Sequence, residues 1–128
     1  MLEPGVRGAA EVTVVPENTA AAAGSGALPV FATPCMIALM EKAAMNSVQP
    51  FLDEGQGTVG TRIDVSHLAA TPVGMAVRAE TELTAIDRRR LTFSVKAFAD
   101  GELIGEGTHE RFIVESARFL QKAEAKRK

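Results

Sequence analysis

The sequence predicts an α+β fold in which an antiparallel β-sheet wraps around one long central α-helix. Three observations predict it. From Phe31 to Leu52, FATPCMIALMEKAAMNSVQPFL, small and apolar residues cover most of a helical circumference. Lys42, Asn46, Gln49 and Asp53 then fall on a single polar stripe, the spacing of one helix face. From Thr58 the period changes to two and persists through several runs separated by turn residues. A helix apolar on so many sides needs cover, and a curling sheet supplies it.

Each element follows in order. Ala10 to Val15 reads as a short strand stopped by Pro16. Residues 18–30 are rich in Ala, Gly and Ser and form a lid-like loop, or one loose helical turn, leading straight into the helix. Thr33 followed by Pro34 is a helix start signal, and Asp53-Glu54-Gly55 a stop. Val59, Thr61, Ile63, Val65 and His67 share one face of the next strand, with Arg62, Asp64 and Ser66 on the other. A second run alternates Val73, Met75, Val77, Ala79 and Thr81 against charged residues. After the charged turn Asp87 to Arg90, Leu91, Phe93, Val95 and Ala97 form the inner face of a third strand. Asp100-Gly101 is a strong hairpin signal. The last strand, Leu103 to Val114, contains Gly105 and Gly107, where another element can approach closely. Ser116 is a candidate cap for a basic C-terminal tail or helix over residues 115–128.

Length and composition bound the rest. At 128 residues the chain fits one domain, 1–128, with no internal repeat. Its hydrophobic fraction of 46% supports a core, built from aliphatic residues, Met and Phe because Trp and Tyr are missing. The formal net charge of −2 argues against a general nucleic-acid binder. A single cysteine, Cys35, excludes an internal disulfide and leaves too few thiols for a structural zinc site. No apolar run reaches membrane-spanning length, so a soluble cytoplasmic protein is the simplest expectation, with no membrane partner and no cofactor. So small a sheet leaves edges exposed, and pairing edges across a two-fold axis is a common remedy.

Three polar groups stand out as chemistry. Glu41 has Ile37, Ala38, Ala44, Met45 and Val48 as its helical neighbours, which puts a carboxylate on an apolar face where it needs a partner. Thr33 lies at the helix start, near free backbone amides and the positive dipole end. His67 closes a strand on the face expected to meet the core. A hydroxyl, a carboxylate and an imidazole are the parts of a nucleophile–base–orienter set, and the helix start suits an oxyanion. Each residue also has a plainer reading. Thr33 caps the helix, Glu41 pairs with an arginine or faces solvent, and His67 is a satisfied half-buried histidine. His109 competes as base but has only Glu110 as an acidic neighbour in sequence, pointing to the opposite face.

Four segments carry a resemblance: FATPCMIALMEKAA, EGQGTVGTRIDVSHLAATPVG, DRRRLTFSVKAF and IGEGTHERFIV. In this order, from about Val30 to Val114, they resemble the hotdog-fold thioesterases of the fluoroacetyl-CoA thioesterase type. The resemblance implies that Thr33, Glu41 and His67 form the catalytic set, that Gly60 belongs to the substrate site, and that no metal is needed. It implies an acyl-CoA substrate and a homodimer, possibly a dimer of dimers, with each active site built from both subunits. Hydration or dehydration of an acyl thioester, and non-enzymatic acyl-CoA binding, are the alternatives on the same fold. In the fluoroacetyl-specific member a lid carrying a bulky Phe gates the pocket. Ala20 to Ala27, AAAAGSGA, has nothing comparable, so the resemblance implies hydrolysis of a small or medium acyl-CoA without fluoroacetyl selectivity. Arg88, Arg89 and Arg90 are either cations for the CoA phosphates or a solvated turn.

Overall fold

The computed structural model describes residues 1–127; Lys128, the last residue of the basic tail, lies outside them. Strand β1 (Arg7–Thr13) is followed by a 3-10 turn at Pro16–Asn18 and a single helical turn, α1 (Ala20–Ala23). The long helix α2 (Thr33–Val48) comes next, then β2 (Gln56–His67), β3 (Ala76–Asp87), β4 (Arg90–Ala99), β5 (Glu102–Glu115) and α3 (Ser116–Glu124). The strands form one five-stranded sheet in the order β1-β3-β4-β5-β2, with every neighbouring pair antiparallel. The sheet curls against α2.

Met36, Leu39, Met40, Ala43, Ala44 and Val48 of α2 are buried. They pack on Val77, Ala79 and Leu83 of β3, Leu91, Phe93, Val95 and Ala97 of β4, and Ile104 of β5. The inner face expected of the third strand is therefore the floor of the core. Asp100 and Gly101 both have positive φ, 48° and 79°, which matches the twist of a two-residue hairpin between β4 and β5. A side chain at Gly105 would collide with the Met36 sulfur, so this glycine lets β5 lie close under the helix.

Several local expectations are corrected. The helix does not run to Leu52 as one piece. It ends at Val48 and tightens into a 3-10 turn, Gln49–Phe51, because Pro50 has no amide to continue the ladder. Thr33 is the first helical residue rather than the cap; Ala32 occupies the cap position without a side-chain bond. The first strand lies earlier than Ala10 to Val15, and Val14 instead exchanges backbone bonds with Met75 and Gly74. Ser116 is not the cap of α3; Glu115 occupies that position.

The largest correction concerns β2. Its register against β5 shifts between Gly60 and Arg62, leaving Thr61 as an extra residue. A bulge of this kind reverses the in–out alternation. Thr58 and Gly60 face the helix before it, and Ile63, Val65 and His67 after it, since residues paired directly with Arg111, His109, Gly107 and Gly105 share their face. Strand β2 is also an edge strand, half exposed rather than core. Consequently α2 is not covered all round: Pro34, Ala38 and Met45 remain exposed beside it.

Candidate active site

Two polar clusters lie against α2, one at its start and one two turns along. At the start, Ala32 takes the cap position and leaves the Thr33 hydroxyl free for another partner. That partner is His67, the last residue of β2, with Thr33 Oγ1 2.7 Å from His67 Nδ1. The Ala32 amide donates to the Asn18 carbonyl and Pro34 has none, so the helix start offers the amides of Thr33 and Cys35. Beside this pair opens a cleft of about 310 Å³ lined by Ala20, Ser25, Phe31, Thr33, His67 and Leu68. The lid-like segment thus forms its rim.

His67 Nε2 is buried and has no hydrogen-bond partner among the described residues. Burial holds the imidazole below its ordinary pKa of 6.5, opposed in part by the Ala69 backbone. The ring is therefore neutral near pH 7. With the proton on Nδ1, it donates to Thr33 and leaves Nε2 with a free lone pair. With the proton on Nε2, Nδ1 accepts from the threonine hydroxyl. The first arrangement leaves an unpaired base; the second activates a hydroxyl.

Glu41 belongs to the other cluster. Eight residues of helix separate it from Thr33, about 12 Å along the axis at about 1.5 Å per residue. It reaches neither Thr33 nor His67 within one chain, and 40% of its side chain is exposed, so the expectation of a shielded carboxylate fails for a single chain. The physical reason is the uncovered side of α2. Glu41 Oε2 instead lies 3.6 Å from Arg111 Nη1 and directly over Gly60. A Cβ built on Gly60 would sit 2.6 Å from that oxygen, 3.3 Å from His109 Cε1 and 3.5 Å from Arg111 Nη1. Gly60 is thus the point where three polar side chains converge.

Arg111 is almost wholly buried, its side chain 6% exposed. Its Nε donates to Thr58 Oγ1 at 2.7 Å and its Nη2 to the Thr58 carbonyl at 2.9 Å. Burial lowers its pKa from the usual arginine value, and Glu41 opposes that shift. His109, 1% exposed, lies beside it.

The structure thus brings Thr33 and His67 together, brings Glu41 and Gly60 together, and keeps the two pairs apart. Sequence reasoning missed Arg111 and set His109 aside. A signal existed: Gly105, Gly107, His109 and Arg111 alternate in IGEGTHERFIV, so two polar side chains follow two glycines on one strand face. The arginines of the β3–β4 turn stand apart from both clusters. Arg90 pairs with Asp87 at 3.0 Å, and Arg88 is 94% exposed.

The profile of the fluoroacetyl-CoA-specific thioesterase family matches residues 14–117. A fluoroacetyl-CoA thioesterase from Streptantibioticus cattleyicolor is 42% identical over 97 residues, 76% of this chain and 70% of that protein. The solved structure of the fluoroacetyl-CoA thioesterase FlK superposes with a TM-score of 0.93 at 35% identity, covering 100% of this chain and 99% of that one. A variant of that enzyme in complex with acetyl-CoA gives a TM-score of 0.93 at 34% identity, covering 99% and 100%. A hot-dog-like protein from Thermanaerovibrio acidaminovorans, 20% identical, shares the fold with a TM-score of 0.87 over 98% of this chain and 93% of that one.

Proposed function

This chain belongs to the fluoroacetyl-CoA-specific thioesterase family, acyl-CoA thioester hydrolases of the hotdog fold, and we propose that it hydrolyses a small or medium acyl-CoA to the free acid and CoA. The observation that carries this reading is the Thr33–His67 contact at the mouth of the lid-rimmed cleft. Neutral His67 acts as general base and acid, taking a proton from water or from Thr33 and returning it to the departing thiolate. Helix-start amides stabilise the oxyanion that forms as the carbonyl is attacked. A thioester has a good leaving group, so positioning and oxyanion stabilisation are enough, and no metal is needed.

Glu41 enters from a second copy. One α2 cannot present Thr33 and Glu41 to the same carbonyl across about 12 Å, whereas two copies of α2 packed on their uncovered sides can. The exposed edge of β2 and the exposed Ala38 and Met45 beside Glu41 support such a homodimer, the antiparallel sheets joining edge to edge. The assembled site then holds Thr33 and His67 of one subunit with Glu41 and Gly60 of the other, the carboxylate orienting the nucleophile or activating water. CoA thioesters as substrates suit a cytoplasmic enzyme.

The test is a hydrolysis screen over short, branched, aromatic and halogenated acyl-CoAs with thiol release as readout. Turnover of at least one short acyl-CoA is expected. Hydration of an enoyl-CoA without thiol release would favour the hydratase chemistry, and tight binding with background thiol release would favour a binding module.

A further inference from the structure

His109 takes no part in the chemistry just described, yet it is the most deeply buried titratable side chain in contact with that site. Its surroundings are specific. Nδ1 lies 2.8 Å from the Arg62 carbonyl oxygen on β2. Nε2 lies 3.2 Å from Arg111 Nη1 on its own strand. The ring stacks on Phe93 of β4, centroids 6.1 Å apart. On the helix side stands Glu41, which shares the same Arg111 nitrogen; Glu110 is the neighbouring charge on β5.

These contacts determine where the proton sits. A guanidinium has only donors, so Nε2 must accept from Arg111. The single proton of the neutral ring is then on Nδ1, donating to the Arg62 carbonyl. With this bond made, all three nitrogens of Arg111 are engaged: Nε and Nη2 on Thr58, Nη1 between His109 and Glu41. The guanidinium plane is fixed, and it holds the Glu41 carboxylate over Gly60. An imidazolium at this position would oppose donor to donor and cation to cation. Burial and the Arg111 charge both disfavour it, whereas Glu41, Glu110 and the Arg62 carbonyl favour it, and the net effect lowers the His109 pKa.

We propose that His109 is a positioning residue for thioester hydrolysis: as the neutral Nδ1–H tautomer it locks Arg111, and through Arg111 aims Glu41 at the Gly60 side of the assembled site. This rests on the thioesterase reading and on Glu41 acting in it. Protonation of His109 releases Arg111 and lets Glu41 swing away, giving the reaction an acid limb in kcat that is separate from titration of His67.

Two measurements on the full-length protein test this. Long-range ¹H–¹⁵N correlation spectra of the wild type at neutral pH should give His109 a protonated Nδ1 and an unprotonated Nε2. A proton on Nε2 there, in either the other tautomer or an imidazolium, overturns the proposal whatever the activity. The second measurement is kcat and KM for the best acyl-CoA between acidic and neutral pH, for wild type, His109→Gln and His109→Phe. Gln carries an acceptor for Arg111 and a donor for Arg62; Phe keeps the stacking and lacks both. His109→Phe should lose kcat by about tenfold or more with little change in KM, as misaimed catalytic groups do. His109→Gln should recover part of that loss and show one acid limb fewer than the wild type. Wild-type kcat and an unchanged pH profile in folded His109→Phe overturn the proposal. If that variant does not fold, an unchanged acid limb in His109→Gln does the same. A wild type that releases no thiol from any acyl-CoA overturns the thioesterase reading instead.

Discussion

Thr33 shows how a residue's role depends on its neighbour in the chain. A threonine before a proline at a helix start is usually explained by capping, but with Ala32 in the cap position its hydroxyl reaches His67 at 2.7 Å. His67→Ala is expected to lower kcat by about a hundredfold or more, the usual cost of a lost general base, with an unchanged circular dichroism spectrum. Full activity in that variant would remove His67 from the mechanism. The two histidines also make stability depend on pH. Burial lowers both pKa values from 6.5. Above that value neither state is protonated and the histidines contribute no pH dependence. As pH falls below it, the unfolded chain takes up protons that the folded chain resists, so stability falls on the acid side. The melting temperature should therefore drop below about pH 6.5, and less steeply in His67→Gln, which leaves one depressed histidine instead of two. Equal slopes would mean that His67 titrates alike in both states. Thr33 and His67 were legible in the sequence because one begins a helix and the other ends a strand. Arg111 was not, since nothing local reveals that a strand arginine will be buried under a glutamate from a helix seventy residues earlier.

At the scale of elements, alternation and helical stripe identified the sheet, the long helix and the hairpins, because each element buries one face and must repeat with its own period. The inner face of β4 followed directly from Leu91, Phe93, Val95 and Ala97. Periodicity could not reveal the bulge at Thr61, since an inserted residue is defined by the partner strand and not by its own chain. The bulge shapes both polar clusters: it lets Gly60 face Glu41 while His67, seven residues on, faces Thr33. Gly60→Ala places a methyl 2.6 Å from the end of a flexible side chain, so the fold should persist while Glu41 is displaced. A loss of about ten- to a hundredfold in kcat with a near-normal melting curve is expected. Wild-type kcat would show that Glu41 need not approach β2. The segment ahead of α2 carries a single short helical turn. Thr19 caps the single turn α1 and Gly24, at φ 77°, ends it, leaving Ala20 and Ser25 at the cleft. With only small side chains from α1 to close over an acyl group, fluoroacetyl-CoA should be preferred over acetyl-CoA only weakly, and larger acyl-CoAs should be accepted. A strong fluoroacetyl preference in competition assays would contradict this.

At the scale of the whole molecule, the chain carries two separate polar clusters, Thr33 with His67 and Glu41 with Arg111. The curl of the sheet around α2 stops at β2, leaving an open strand edge and an uncovered helix side with Glu41 in it. The proposed composite dimer would explain both features, and would account for a carboxylate that looked buried from its helical neighbours yet is partly exposed in one chain. Sedimentation at micromolar concentration should give a dimer or a multiple of one; a monomer would remove the route by which Glu41 meets Thr33. The fold was legible because it is set by local periods, whereas the complete site was not, because in the proposed dimer half of it would come from another copy. The most direct test mixes two inactive variants, Thr33→Ala and Glu41→Ala, exchanges their subunits, and measures thiol release from the best acyl-CoA. If the site is shared, the mixed dimer rebuilds one intact site from the unmutated halves, and random exchange should restore about a quarter of wild-type activity. If both residues serve the same chain's site, every site in the mixture lacks one of them, and activity that stays at the level of the separate variants would contradict the account.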